Sequence, residues 1–124
     1  MHELTINLHM HTIYSDGTGT HTDLARAALK SSLDAILVSD HNVWVRGFDS
    51  HHREGKRRIL LLVGEEIHDQ GRNPQKNHLL VFGVERELAT LADDLQVLID
   101  AVGEAGGISF IAHPVDPALP AFNE

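Results

Sequence analysis

Five short apolar runs recur along this chain, and polar residues able to hold a metal ion sit beside each of them. Leu4-Thr5-Ile6-Asn7-Leu8 alternates apolar and polar residues, the period of a strand. Residues 35–38, 59–63, 79–82 and 108–112 are continuous runs rich in leucine and β-branched residues. Runs of four or five residues are too short for helices and fit strands buried in a parallel sheet. Between them, Thr22 or Asp23 can cap a helix whose Leu24, Ala27, Ala28 and Leu29 share one face. Thr90 and Asp93 have capping-box spacing ahead of the stripe Leu91, Leu95, Leu98, Ile99 and Val102, which Gly106-Gly107 stops. Residues 45–58 read as a short, basic, solvated helix, and residues 67–77, with Gly71 and Pro74, as a loop. Strands separated by helices or long crossovers predict an α/β fold, a sheet or barrel with about five parallel strands.

In such folds, sites form at the C-terminal ends of the strands. After the first run come His9-Met10-His11 and then Asp16, after the second Asp40-His41-Asn42, after the third Gly64-Glu65-Glu66, and after the fifth His113. His78 is the exception, because it precedes its run. Side chains on a strand alternate, so His9 and His11 face one way, roughly 7 Å apart, and Met10 the other. The same alternation lets only one of Glu65 and Glu66 enter a shared site. Asp16 lies on a Ser15-Asp16-Gly17 turn that can bring a carboxylate over the strand end.

There is no cysteine, so neither a disulfide framework nor a thiolate site exists. Nitrogen and oxygen donors without sulfur suit zinc, manganese or iron as divalent ions, and the number of candidates exceeds what one tetrahedral ion needs. The net charge of −8 argues against a stand-alone nucleic-acid binder, although bound ions would let a nucleotide approach. The 42% hydrophobic content supports a real core in one modest domain, or in part of a larger one. With no secretory signature and no apolar run near 20 residues, a cytoplasmic location without membrane contact is expected. Of the remaining histidines, His2, His51 and His52 read as solvated and His21 as a helper at a helix cap, while His68 reads as a loop residue, close enough to Glu66 to line an entrance. Trp44 reads as lining a pocket or packing on the rim.

Taken together, the segments Asn7-Leu8-His9-Met10-His11-Thr12 with Tyr14-Ser15-Asp16-Gly17, Val38-Ser39-Asp40-His41-Asn42, Gly64-Glu65-Glu66-Ile67, His78-Leu79-Leu80-Val81-Phe82-Gly83, and Gly106-Gly107 leading to Ala112-His113-Pro114 resemble the PHP family of polymerase and histidinol phosphatase domains. The resemblance runs from about residue 4 to residue 117. It implies a distorted (β/α)7 barrel, two or three divalent ions and hydrolysis of phosphate esters. His9, His11, Asp16, His41, Glu66, His78 and His113 would be the ligands. Asp40 and His41 are the candidate catalytic pair, with Asp40 orienting a ligand histidine. The family pattern closes with an Asp-x-His that this sequence lacks, so residues 1–124 are expected to be the N-terminal portion of the domain.

The expected reaction is attack of a metal-bound hydroxide on a small phosphorylated substrate, with nucleotides and oligonucleotide ends among those left open. Two rivals remain at this point. One is a metal-dependent amidohydrolase, which also uses His-x-His on a barrel strand. The other is a metal-binding module without catalysis.

Overall fold

The apolar runs form strands, but not one parallel set. The computed structural model describes residues 1–120 and 122; Ala121, Asn123 and Glu124, at the end of the proline-rich tail, lie outside the described residues. The first sheet contains β1 (Ile6–Asn7), β2 (Ala35–Val38), β3 (Ser50–Glu54) and β4 (Arg57–Val63), in the order β1-β2-β4-β3. β1, β2 and β4 are parallel, with Ile6 opposite Ala35 and Ala35 opposite Leu60. β3 returns antiparallel along β4 through a turn at Gly55, whose φ of +60° is one that glycine adopts without penalty.

β3 replaces the helix expected within residues 45–58. That stretch has no apolar stripe for a helix to bury. Its backbone instead completes the ladder on the open side of β4, and its charged, largely exposed residues suit an edge strand.

Helix α1 (His21–Leu29) covers this sheet, packing Ala25, Ala28 and Leu29 against Ile36, Val38, Ile59 and Leu61. Its cap is Thr20, not Thr22 or Asp23. The Thr20 hydroxyl accepts from the Asp23 amide at 3.2 Å, and the Asp23 carboxylate accepts from the Thr20 amide at 2.9 Å. Asp23 is therefore the last residue of a capping box rather than its first.

The second sheet is antiparallel, in the order β5 (Glu65–Asp69), β6 (Lys76–Phe82), β7 (Ile108–Ile111). β5 and β6 take the two ends of what reads as a loop at residues 67–77, leaving 70–75 as the turn. The polar residues of β5 disguise a strand, because most of them are buried, Glu66 and His68 toward the site, and not turned to water. Helix α2 (Leu95–Glu104) places Leu98, Ala101 and Val102 against Ile67, Leu79 and Val81. Asp94 caps it, accepting from the Val97 amide at 3.1 Å. Thr90, the expected cap, falls in a separate 3-10 turn, Ala89–Leu91.

The result is a mixed α/β fold of seven strands among the described residues, in two open sheets and not a closed barrel, with three mutually parallel strands instead of about five. Gly64 turns β4 into β5. A Cβ there would lie 2.2 Å from Phe82 Cδ1 and 2.3 Å from the Val81 carbonyl oxygen, so the bend can come this close to the end of β6 only at glycine. Beyond the bend, β5 pairs with the segment after β2. The Glu66 amide donates to the Asp40 carbonyl and the Asn42 amide to the Glu66 carbonyl, both at 3.1 Å. Because β6 runs antiparallel to β5, its start arrives at the end of β2, and His78, which precedes the apolar run, lies inside a strand that begins earlier, at Lys76. β7 reverses again and delivers His113 to the same place, with the Ala112 amide donating to the His78 carbonyl at 3.0 Å. Among the described residues no helix is long and apolar enough to cross a membrane.

Candidate metal centre

Glu66 is wholly buried, and five imidazoles converge on its carboxylate. His9 Nε2 lies 2.8 Å, His11 Nε2 3.1 Å and His41 Nδ1 3.5 Å from Oε2. His78 Nδ1 lies 2.8 Å and His113 Nε2 3.0 Å from Oε1. Asp16 spans two of the same rings, with Oδ1 3.5 Å from His11 Nδ1 and Oδ2 3.3 Å from His41 Nε2. All seven residues proposed as ligands thus meet in one place.

Local chemistry explains how each gets there. The His9-Met10-His11 segment continues past β1 and is tied to the end of β2 by the Ser39 amide, which donates to the Met10 carbonyl at 2.8 Å. Met10 packs into the core under α1, so the two histidines on either side of it turn toward Glu66. Glu65 points away from the site, as alternation requires. Burial, followed by the facing Glu87 carboxylate, pushes the Glu65 carboxyl up to about 9. Glu87 in turn accepts from the Trp44 amide at 3.0 Å and the Ala89 amide at 2.9 Å. Trp44 lines a cavity of about 140 Å³ with Leu37 and Phe82, away from the carboxylate cluster.

The Asp40 carboxylate is buried against the turn that follows His11. Oδ1 accepts from the Thr12 amide at 2.6 Å and the Ser15 hydroxyl at 2.7 Å, and Oδ2 accepts from the Thr12 hydroxyl at 2.7 Å. It therefore braces the turn that carries Asp16, rather than orienting a histidine ring. Gly17 closes that turn by donating to the Thr12 carbonyl at 2.9 Å, and a Cβ at Gly17 would sit 2.3 Å from the His11 carbonyl oxygen.

Among the described residues three non-glycine positions take positive φ, each being or adjoining a candidate ligand: Asn42 (50°), Asn77 (58°) and His113 (30°). Asparagine tolerates this region better than most residues, and such conformations gather where a site dictates the chain path.

The electrostatics suit cations. Burial alone would raise the Glu66 carboxyl, but hydrogen bonds from His11, His78 and His9 reverse this and hold it far below the usual carboxylate range. His11 is raised, chiefly by its hydrogen bond to Glu66, whereas burial lowers His41. A carboxylate offers about four lone-pair sites, and five rings exceed them. His11 Nδ1, His41 Nδ1 and His78 Nε2 are buried without a hydrogen-bond partner. Buried lone pairs of this kind need a partner, and divalent cations bound by nitrogen and oxygen fit them. Among the described residues three sets have donor atoms within 4.8 Å of one another: His9, His11 and Glu66; His11, Asp16 and His41; His41, Glu66 and His78.

Two histidines sit elsewhere than their first reading, His68 as a loop residue and His21 as a cap helper. His68 is 4% exposed and stacks on His78, with ring centroids 4.6 Å apart. The period-two rule applied to Glu66 would have put it on the site face. His21 does not cap α1. Its ring stacks on Phe48 at 4.0 Å, and both its nitrogens are buried without a hydrogen-bond partner.

The sequence profile of the PHP domain family matches residues 7–105. A solved structure from Bacteroides vulgatus ATCC 8482, described as a two-domain protein containing a predicted PHP-like metal-dependent phosphoesterase, superimposes with a TM-score of 0.64 at 23% identity. The alignment covers 90% of this chain and 35% of that one, so the chain spans about a third of that protein's length. No curated protein matches the chain. With the profile covering most of its length, the chain belongs to the PHP domain family.

Proposed function

We propose that this chain is a metal-dependent phosphoesterase that hydrolyses a phosphate ester. The observation that carries the reading is the buried Glu66 carboxylate ringed by five imidazoles, two of which also face Asp16. His9, His11, Asp16, His41, Glu66, His78 and His113 would hold two or three divalent ions, with zinc, manganese or iron fitting the donors. Bound there, the ions would supply an acidified water at neutral pH and positive charge for phosphate oxygens.

The chain's own residues would do the rest. Glu66 belongs to two of the three donor sets and would fix their spacing. Asp40 would act as a positioning residue, keeping Asp16 in reach through Thr12 and Ser15. A polar pocket of about 470 Å³ beside His41, lined by Asn42, Gln70, Arg72, Asn73 and Gln75 as well as His68, would receive the organic part of the ester. A small phosphorylated molecule is the substrate class, nucleotides and oligonucleotide ends included.

The test is turnover of an aryl phosphate by protein stripped of metal and reloaded with Mn²⁺, Zn²⁺ or Fe²⁺, with amides and lactones assayed beside it. Hydrolysis of the phosphate that is lost on stripping, restored on reloading and abolished in Glu66→Gln is the expected result. Turnover of amides or lactones alone would make the chain an amidohydrolase. Bound metal with no turnover across a broad ester panel would make it a binding module.

A further inference from the structure

The His68 ring touches two of the ligand candidates in two different ways. It lies face to face with His78, at 4.6 Å and 16° between ring planes, and edge-on to His41, at 5.1 Å and 78°. His41 and His78 themselves stand almost perpendicular, at 87°. One buried ring thus braces both members of a donor set that includes Glu66.

That ring is itself held by Asn42. The Asn42 side-chain oxygen accepts from the His68 backbone amide at 2.9 Å, and its NH₂ group lies 3.2 Å from His68 Nε2. An NH₂ group can only donate, so Nε2 must carry the lone pair and Nδ1 the proton, which points at the Asp69 carbonyl 3.4 Å away. With Nε2 occupied in this way, His68 has no nitrogen to offer an ion. Asn42 also follows His41 directly and adopts φ 50°, so the residue that turns the backbone beside one ligand is the one that clamps the brace of both.

We infer that Asn42 and His68 form a positioning pair that sets the ring planes of His41 and His78 for metal binding. Rings oriented beforehand lose less freedom when they bind, and outer partners of ligand histidines commonly change metal affinity by roughly 10- to 100-fold. The inference rests on the metal-centre reading above, so its test measures metal binding and not turnover.

The experiment is titration of the metal-free protein with Mn²⁺ by calorimetry, with circular dichroism to establish that each variant is folded. Asn42→Gly keeps the left-handed backbone available and removes the clamp, and His68→Phe keeps a flat ring that cannot be clamped. Each should weaken Mn²⁺ binding several-fold, and the double variant should be no weaker than the worse single one. His68→Leu, buried but not planar, should lose roughly tenfold or more. In the metal-free protein, ¹⁵N NMR of the His68 ring should show the Nδ1–H tautomer. Additive losses in the double variant, binding by His68→Leu equal to that of His68→Phe, or an Nε2–H tautomer would each overturn the inference. If His68→Leu does not fold, the Asn42 and His68→Phe cycle and the tautomer still decide. A wild-type chain that binds no Mn²⁺ sinks the metal reading itself, and this inference with it.

Discussion

Asp40 shows how much a single carboxylate can organise. Three donors share its two oxygens, and two of them come from Thr12, far away in sequence. An asparagine there would have to turn an N–H toward at least one of those donors. Asp40→Asn should therefore lose about 2 kcal/mol of stability, read as a lower urea midpoint, with weakened binding of the ion that needs Asp16. At this scale the sequence was informative about which residues gather and less so about what each does. His9, His11, Asp16, His41, Glu66, His78 and His113 sit in motifs whose spacing carries meaning. The choice of Glu66 over Glu65 matches strand alternation. Asp40 was legible as important but not as a loop brace, because its partners are set by the fold. His68 was half legible: two residues from Glu66 it could line the site, but it falls in a segment that reads as a loop.

Among the elements, α1 brings an unusual first residue. Burial lowers the pKa of His21, and the Asp40 charge opposes this without overcoming it. The folded state therefore favours neutral His21. Its contribution to stability is fully present above the ordinary histidine value of 6.5 and is lost as pH falls below it, because the unfolded chain then binds the proton more readily. His21→Phe should flatten this part of the profile between pH 7 and 5, measured as melting temperature against pH in metal-free protein. A variant as acid-sensitive as wild type would contradict the assignment. The strands from apolar runs could be read directly, since burial and β-branching coincide there. β3 and β5 could not. β3 exists because β4 offers it an open edge, and β5 buries polar side chains against the site, so neither shows the pattern that normally identifies a strand. The capping errors at α1 and α2 are local. Thr20 and Asp94 were each within a few residues of the expected caps, and the backbone geometry that selects between neighbouring candidates is not written in residue type.

For the whole molecule, the direction of strands in the second sheet matters most. Its antiparallel order collects Glu66, His78 and His113 where β1 and β2 bring His9, His11 and His41, so the site draws on both sheets. Ions bound only by the folded chain should therefore staple the sheets together. At a hundredfold excess over its dissociation constant, one ion adds about 2.7 kcal/mol, so chelation should lower the melting temperature by roughly 10 °C. A shift within error of zero would mean that the ions contribute nothing to the fold. The parallel order of β1, β2 and β4 was legible from burial, but the reversals of β6 and β7 were not, because an apolar run has the same composition in either direction.

The crowding at Glu66 has a consequence for occupancy. His11 and His41 also serve two of the three donor sets, so none of these sets is a self-contained compartment. Were a second cation to follow a first, it would need negative charge that the first already draws on through the shared side chains. Stepwise loading should then depart from a binding isotherm for independent sites, and replacing Asp16 should disturb the affinity of cations it never touches.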